Sequence, residues 1–146
     1  MLLNALCTTD PIRCRPDVTA LEAAQLMRQK HTGDLVVVDE NEAPIGVITD
    51  RDIVIEVLAA GLSPAETPVG RILRAPVIIA HEQEDASHAL ELMRVHGVRR
   101  LPVVNRDGAL SGIVTLDDLL RNLAADADLL VQLTEREQAR ERRVRR

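Results

Sequence analysis

Apolar positions along the chain alternate between two periods. Leu21, Ala24 and Met27, with Ala20 and Ala23 beside them, recur at helical spacing and predict a helix over Thr19–His31. Leu35 to Asp39 is a continuous Val-rich run, the pattern of a strand buried on both faces. Glu40–Pro44 reads as a turn, Ile45–Ile48 as a second strand, and Asp50–Ala60 as a second helix stopped by Gly61. Ile12–Cys14 is a short extended piece before Pro16.

The same order then returns. Val77–Ala80 is extended and Asp85–His96 helical. Leu101–Asn105 and Leu110–Val114 are strands around an Arg106-Asp107-Gly108 hairpin turn, and a helix starts at Leu116. An offset of 66 residues superposes Leu26-Met27-Arg28 on Leu92-Met93-Arg94, Val37-Val38 on Val103-Val104, Gly46 on Gly112, Thr49 on Thr115 and Asp52 on Asp118. Register held without a gap through helix, strand and turn marks a tandem duplication. The expected organisation is repeat 1 over 1–60, a linker over 61–70 containing Pro64 and Pro68, repeat 2 over 71–123, and a helical, Arg-rich tail over 124–146. One such unit is too small to bury its own sheet. The expected fold is therefore α/β (α+β): two small sheets with flanking helices, packed about a pseudo-two-fold axis.

Composition narrows the function. The chain has 146 residues, 46% of them hydrophobic, and no Phe, Tyr or Trp. The core must be aliphatic, and base stacking on aromatic rings is excluded. Net charge is −5, unevenly spread: Arg136 to Arg146 carries +4 and the remaining 135 residues carry −9. An acidic body does not attract a polyanion, so nucleic acid is not an expected partner. The basic end reads as a solvated helix or a docking arm. No apolar run reaches a membrane span of roughly 18 residues, and Met1–Cys7 lacks the basic flank of a secretory signal. A cytoplasmic location is expected.

The candidate chemistry lies at two helix starts, Thr49-Asp50-Arg51-Asp52 and Thr115-Leu116-Asp117-Asp118. Thr followed three residues later by Asp is the spacing of a capping box. It is also a way to hold a ribose phosphate: helix N–H groups and the Thr hydroxyl face phosphate, and the Asp carboxylate accepts from ribose hydroxyls. Gly46 and Gly112, a few residues earlier, suggest close backbone approach. Arg51 favours phosphate; its counterpart Asp117 opposes it. His31, His81, His88 and His96 stand at no metal-ligand spacing with Cys7, Cys14 or a carboxylate, so no metal is expected. No nucleophile–base or general acid–base arrangement stands out, so no catalysis is expected.

Tandem Leu-Met-Arg helices, Val-rich strands and Gly-h-h-Thr-x-x-Asp segments together resemble a CBS-domain pair, the Bateman module. The stretch His96-Gly97-Val98-Arg99-Arg100-Leu101-Pro102-Val103-Val104 shares the resemblance, which covers about Thr9 to Leu123. It implies a regulatory, non-catalytic module that binds adenosine-containing ligands between repeats. AMP is the first expectation, with ADP, ATP, NAD or S-adenosylmethionine as others. It further implies a homodimer that signals to an enzyme or transporter. Carried over, Thr49 and Asp52 hold phosphate and ribose at one site, and Thr115 and Asp118 at the other. Thr32, Gly33 and Asp34 in the first copy, and Val98, Arg99 and Arg100 in the second, match residues that face the adenine. Asp34 departs from the small or apolar residue usual there. The alternative function is a dimerisation module whose cleft is structural and unoccupied.

Overall fold

The computed structural model describes residues 1–74 and 76–144. Two elements precede the first predicted one: a short helix α1 (Leu3–Leu6) and a strand β1 (Thr8–Thr9). The first repeat then runs β2 (Arg13–Cys14), α2 (Ala20–Lys30), β3 (Asp34–Val38), β4 (Pro44–Thr49) and α3 (Asp50–Ile53). A π-helical turn over Val54–Leu58 prolongs α3. The second repeat runs β5 (Ala80–His81), α4 (Ala86–His96), β6 (Arg100–Val104), β7 (Leu110–Thr115) and α5 (Leu116–Val144).

The offset of 66 reappears in the strand registers. Cys14 pairs with Val37 as Ala80 pairs with Val103, and Asp34 pairs with Thr49 as Arg100 pairs with Thr115. Even the register irregularity recurs, at Val37/Val38 and at Val103/Val104. Duplicated local pattern has become duplicated backbone geometry. Both central strands bury four successive residues, as continuous apolar runs require.

The sheets differ in one respect. The first has three strands in the order β2-β3-β4, and the second has four, β1-β7-β6-β5. β1 pairs antiparallel with β7, so the first residues of the chain complete the second repeat. Leu3 joins Ala89, Met93, Leu101 and Val114 in that repeat's core. Conversely, Val69 packs in the first repeat's core with Ala23, Met27, Leu35 and Ile48. The chain thus crosses between halves at both ends of the first repeat. A third cluster, Val36, Val38, Leu110 and Ile113, binds one sheet to the other. The Leu110 N–H also donates to the Glu42 carbonyl across the repeats at 2.8 Å.

Capping explains the helix ends. Thr19 accepts from the Glu22 N–H at the start of α2, and Asp85 accepts from the Ser87 N–H at the start of α4. The first turn of α2 also donates to the linker that follows the first repeat: Ala20 N–H to the Thr67 carbonyl and Leu21 N–H to the Pro64 carbonyl. The linker is therefore an ordered cap. The stripe of α2 is narrower than expected. Ala20, Ala23 and Met27 face the core, whereas Leu21 points outward and is 42% exposed. The helix from Leu116 runs to Val144, and beyond Leu119 its leucines are exposed. Of the Arg-rich tail, Arg145 and Arg146 lie outside the described residues.

Candidate functional site

Both Thr-x-x-Asp segments form capping boxes. The Thr49 hydroxyl oxygen accepts from the Asp52 N–H at 3.1 Å, and Asp52 Oδ2 accepts from the Thr49 N–H at 2.9 Å. Thr115 and Asp118 repeat both bonds, at 3.2 and 2.9 Å. The capping role is thus realised, and it leaves chemistry free. Each Thr hydroxyl can still donate its proton, and each Asp has a second oxygen. Asp118 Oδ1 accepts from Arg121 at 3.4 Å, whereas Asp52 Oδ1 has no protein donor among the described residues. The first repeat keeps its acceptor available.

A cleft of about 480 Å³ opens at this point. Thr49, Arg51 and Asp52 line it from the first repeat, and Val98, Arg99 and Arg100 from the second. Gly46, Val47 and Pro102 form part of the wall, and Arg74 and Pro76–Ile78 close another side. The helix start of one repeat therefore faces the strand start of the other. Apolar wall and convergent polar groups suit a nucleoside whose base lies against aliphatic side chains.

The remaining candidates sit elsewhere. Thr32 and Gly33 lead into β3, where the Thr32 hydroxyl donates to the Asp34 carbonyl at 3.2 Å and the Gly33 carbonyl accepts from the Asp50 N–H at 2.9 Å. The Asp34 carboxylate is held by Arg100 in an ion pair between repeats. Thr115 and Asp118, at the start of α5, are the counterparts of the cleft residues and are not part of its wall. A larger hollow of about 700 Å³ lies along Glu137–Val144. A concavity lined by one helix cannot surround a ligand.

The reason for Gly46 and Gly112 differs from the expected one. A side chain at Gly46 would collide with the end of Leu73, and one at Gly112 with the Cys7 sulfur and, at 2.9 Å, the Thr8 carbonyl. These glycines admit the chain's own crossing segments, with no need of a ligand. Sequence reasoning also missed Arg74 and the Pro76–Ile78 wall. Their signal was the offset of 66 itself, which places them opposite Thr8 and Asp10–Ile12.

Two duplicated α/β units that share one cleft, the first lending a helix start and the second a strand start, define a tandem-repeat module. The chain matches the CBS domain family twice, over residues 3–59 and 69–125, and it belongs to that family. It is 43% identical over 112 residues to the uncharacterized protein MK0525 of Methanopyrus kandleri, which covers 77% of this chain and 57% of that protein. It is 38% identical over 109 residues to hypoxic response protein 1 of Mycobacterium tuberculosis, 75% of this chain and 76% of that one. Among solved structures, hypoxic response protein I with two coordinated zinc ions matches with a TM-score of 0.76 and 31% identity, over 83% of this chain and 98% of that one. The CBS domain pair of MJ0100, in complex with 5-methylthioadenosine and S-adenosyl-L-methionine, matches with a TM-score of 0.75 and 28% identity, over 86% and 98%.

The zinc-bound relative corrects one expectation. A ligand chemistry without metal does not follow for this fold, since a protein so similar coordinates two zinc ions. Spacing of His and Cys along a sequence tests only ligands that are neighbours in the chain. Ligands assembled between elements, or between two chains, leave no such spacing.

Proposed function

We propose that this protein is a non-catalytic regulatory module that binds an adenosine-containing ligand of the AMP, ADP or ATP type and passes its occupancy to a partner protein. One observation carries the reading: the cleft is built from both repeats, with Thr49 and Asp52 on one side and Val98 to Arg100 on the other. A ligand that touches both repeats favours the arrangement in which both contacts are made, and a partner that distinguishes arrangements reads the difference. The adenosyl ligands in the CBS pair of MJ0100 support the ligand class. The Asp52 carboxylate takes the ribose hydroxyls and the Thr49 hydroxyl donates toward phosphate.

The same proposal includes a homodimer. Leu21, Val54, Ile55 and Leu58 in the first repeat, and Leu90, Leu120 and Leu123 in the second, leave an apolar helical face exposed. The regulated partner is an enzyme or transporter, and two free cysteines suit a reducing, cytoplasmic setting. No helix among the described residues is long and apolar enough to cross a membrane.

The absence of Trp and Tyr supplies the test. Purified protein barely absorbs near 280 nm, so a band near 260 nm reports bound nucleotide directly. The expected result is such a band, or saturable binding of added adenine nucleotide. No band and no binding of AMP, ATP or NAD would leave the dimerisation module with an unoccupied cleft.

A further inference from the structure

The 66-residue offset gives every cleft residue a counterpart in the other repeat, and the two sets carry opposite charge. Four arginines line the open cleft, Arg51, Arg74, Arg99 and Arg100, against the single carboxylate of Asp52. Their counterparts are Asp117, Thr8, Gly33 and Asp34, and Asp118 stands for Asp52. Pro76 on the cleft wall corresponds to Asp10. The counterpart set thus holds four aspartates and no arginine. Recurrence of the sheet registers makes the counterparts within the repeats structural equivalents, whereas Thr8 and Asp10 answer to Arg74 and Pro76 by the offset alone, because β1 has no matching strand in the first sheet.

Two arginines are already engaged: Arg100 with Asp34, and Arg74 with Glu56 at 3.3 Å. The guanidinium groups of Arg51 and Arg99 have no hydrogen bond or ion pair with any described residue. Two free guanidiniums therefore converge on one cleft in a chain whose net charge is −5. Packing separates the clefts as well. Half-buried Val47 and buried Pro102 form wall of the open one, whereas their counterparts Ile113 and Val36 pack with Val38 and Leu110 in the cluster that joins the sheets.

We infer that only the arginine-lined cleft takes an anionic ligand, and that it selects nucleoside polyphosphates, one per chain. The inference rests on the adenosine-ligand reading above and narrows it. Guanidinium groups bind phosphate oxygens through charge-assisted, bidentate hydrogen bonds. Two free ones satisfy a longer phosphate chain than a monophosphate offers. The sulfonium of S-adenosylmethionine is repelled by the same groups, and the counterpart set offers a phosphate no arginine of its own, while its Asp117 carboxylate opposes one.

Calorimetric titration of the full chain with adenosine, AMP, ATP and S-adenosylmethionine tests this. The expected result is one ATP per chain, bound about ten-fold or more tighter than AMP, with the ratio shrinking as salt rises. The double variant R51Q/R99Q brings the ratio toward one. Its melting temperature stays close to the parent's, because both side chains are exposed and unpaired. Two ATP per chain, equal affinity for ATP and AMP, tightest binding of S-adenosylmethionine, or an unchanged ratio in R51Q/R99Q each overturns the inference. If AMP binds and ATP binds no more tightly, this inference falls while the adenosine-ligand reading stands. If none of the four binds, the adenosine-ligand reading falls with it.

Discussion

Asp34 and Arg100 occupy equivalent positions in the two repeats and form an ion pair with each other. Contact between symmetry-related residues places the pseudo-two-fold axis between them. The pair also restrains one of the cleft arginines. Both side chains are part-exposed, so the pair contributes less than about 1 kcal/mol to stability. Asp34→Asn should therefore lower the melting temperature only slightly. It should raise affinity for phosphate-bearing ligands, because Arg100 is released toward the cleft. Titration of D34N against parent measures this; a fall in nucleotide affinity would show that Asp34 holds Arg100 in its binding position.

Asp52 and Asp118 make the same capping box but differ in their second oxygen. Replacing either by Ala removes the same cap, at a cost of about 1 kcal/mol in unfolding free energy. Only Asp52 lines the cleft. D52A should thus weaken nucleotide binding by about ten-fold or more, ~1.4 kcal/mol, while D118A leaves affinity near the parent value. Chemical denaturation and ligand titration of the two variants separate cap from contact. Equal losses of affinity in both would place a ligand at each helix start.

Much of this fold was legible from sequence because it is written twice. Hydrophobic period is local, so α2, β3, β4 and their copies α4, β6, β7 follow from spacing alone. Strand β1 did not, since two threonines carry no apolar signal and pair only through tertiary contact with β7. The exposure of Leu21 was hidden for a related reason: its stripe fits helical spacing, and which side of the stripe meets the sheet is decided by packing. At the site, Thr49 and Asp52 could be found from their spacing within one repeat. Their facing Val98, Arg99 and Arg100 rather than Thr32, Gly33 and Asp34 depends on how the two sheets dock, which no intra-repeat spacing encodes.

Cys14 is buried beside β3, and desolvation, with the nearby charge of Asp17, pushes its thiol up to about 11. Cys7 is raised as well, chiefly by desolvation. The sign of the linkage follows. The folded state holds the Cys14 proton more tightly than the unfolded state, whose thiol titrates near 9. The contribution to stability is complete below that pH and is lost as pH rises toward about 11, on the order of 2 kcal/mol. Denaturation between pH 8 and 11 should show this decline, and Cys14→Ala should remove part of it. In native protein at pH 8 roughly one Cys14 in a thousand is thiolate, so a disulfide reagent should label it slowly until denaturant is added. Rapid labelling of Cys14 in native protein would contradict its burial.

Leu58 and Leu120 sit on the outer helical face at 56% and 52% exposure, in a chain whose core has no aromatic side chain to spare. Val54 is the counterpart of Leu120 under the 66-residue offset, so each repeat contributes to this face and a two-fold partner meets a matching surface. Neither leucine supports its own repeat's core, as the two clusters there are built from other residues. Leu58→Asp and Leu120→Asp should therefore leave the fold of the single chain intact. Each places a carboxylate where the homodimer would desolvate it, at a cost of several kcal/mol across the symmetric interface. Sedimentation should find a dimer for the parent and a monomer for the L58D/L120D variant, with unchanged far-ultraviolet circular dichroism. A parent that sediments as a monomer at micromolar concentration would remove the homodimer from the proposal, and a variant that still dimerises would move its interface to the projecting half of α5, where Leu129, Leu130 and Leu133 are also exposed.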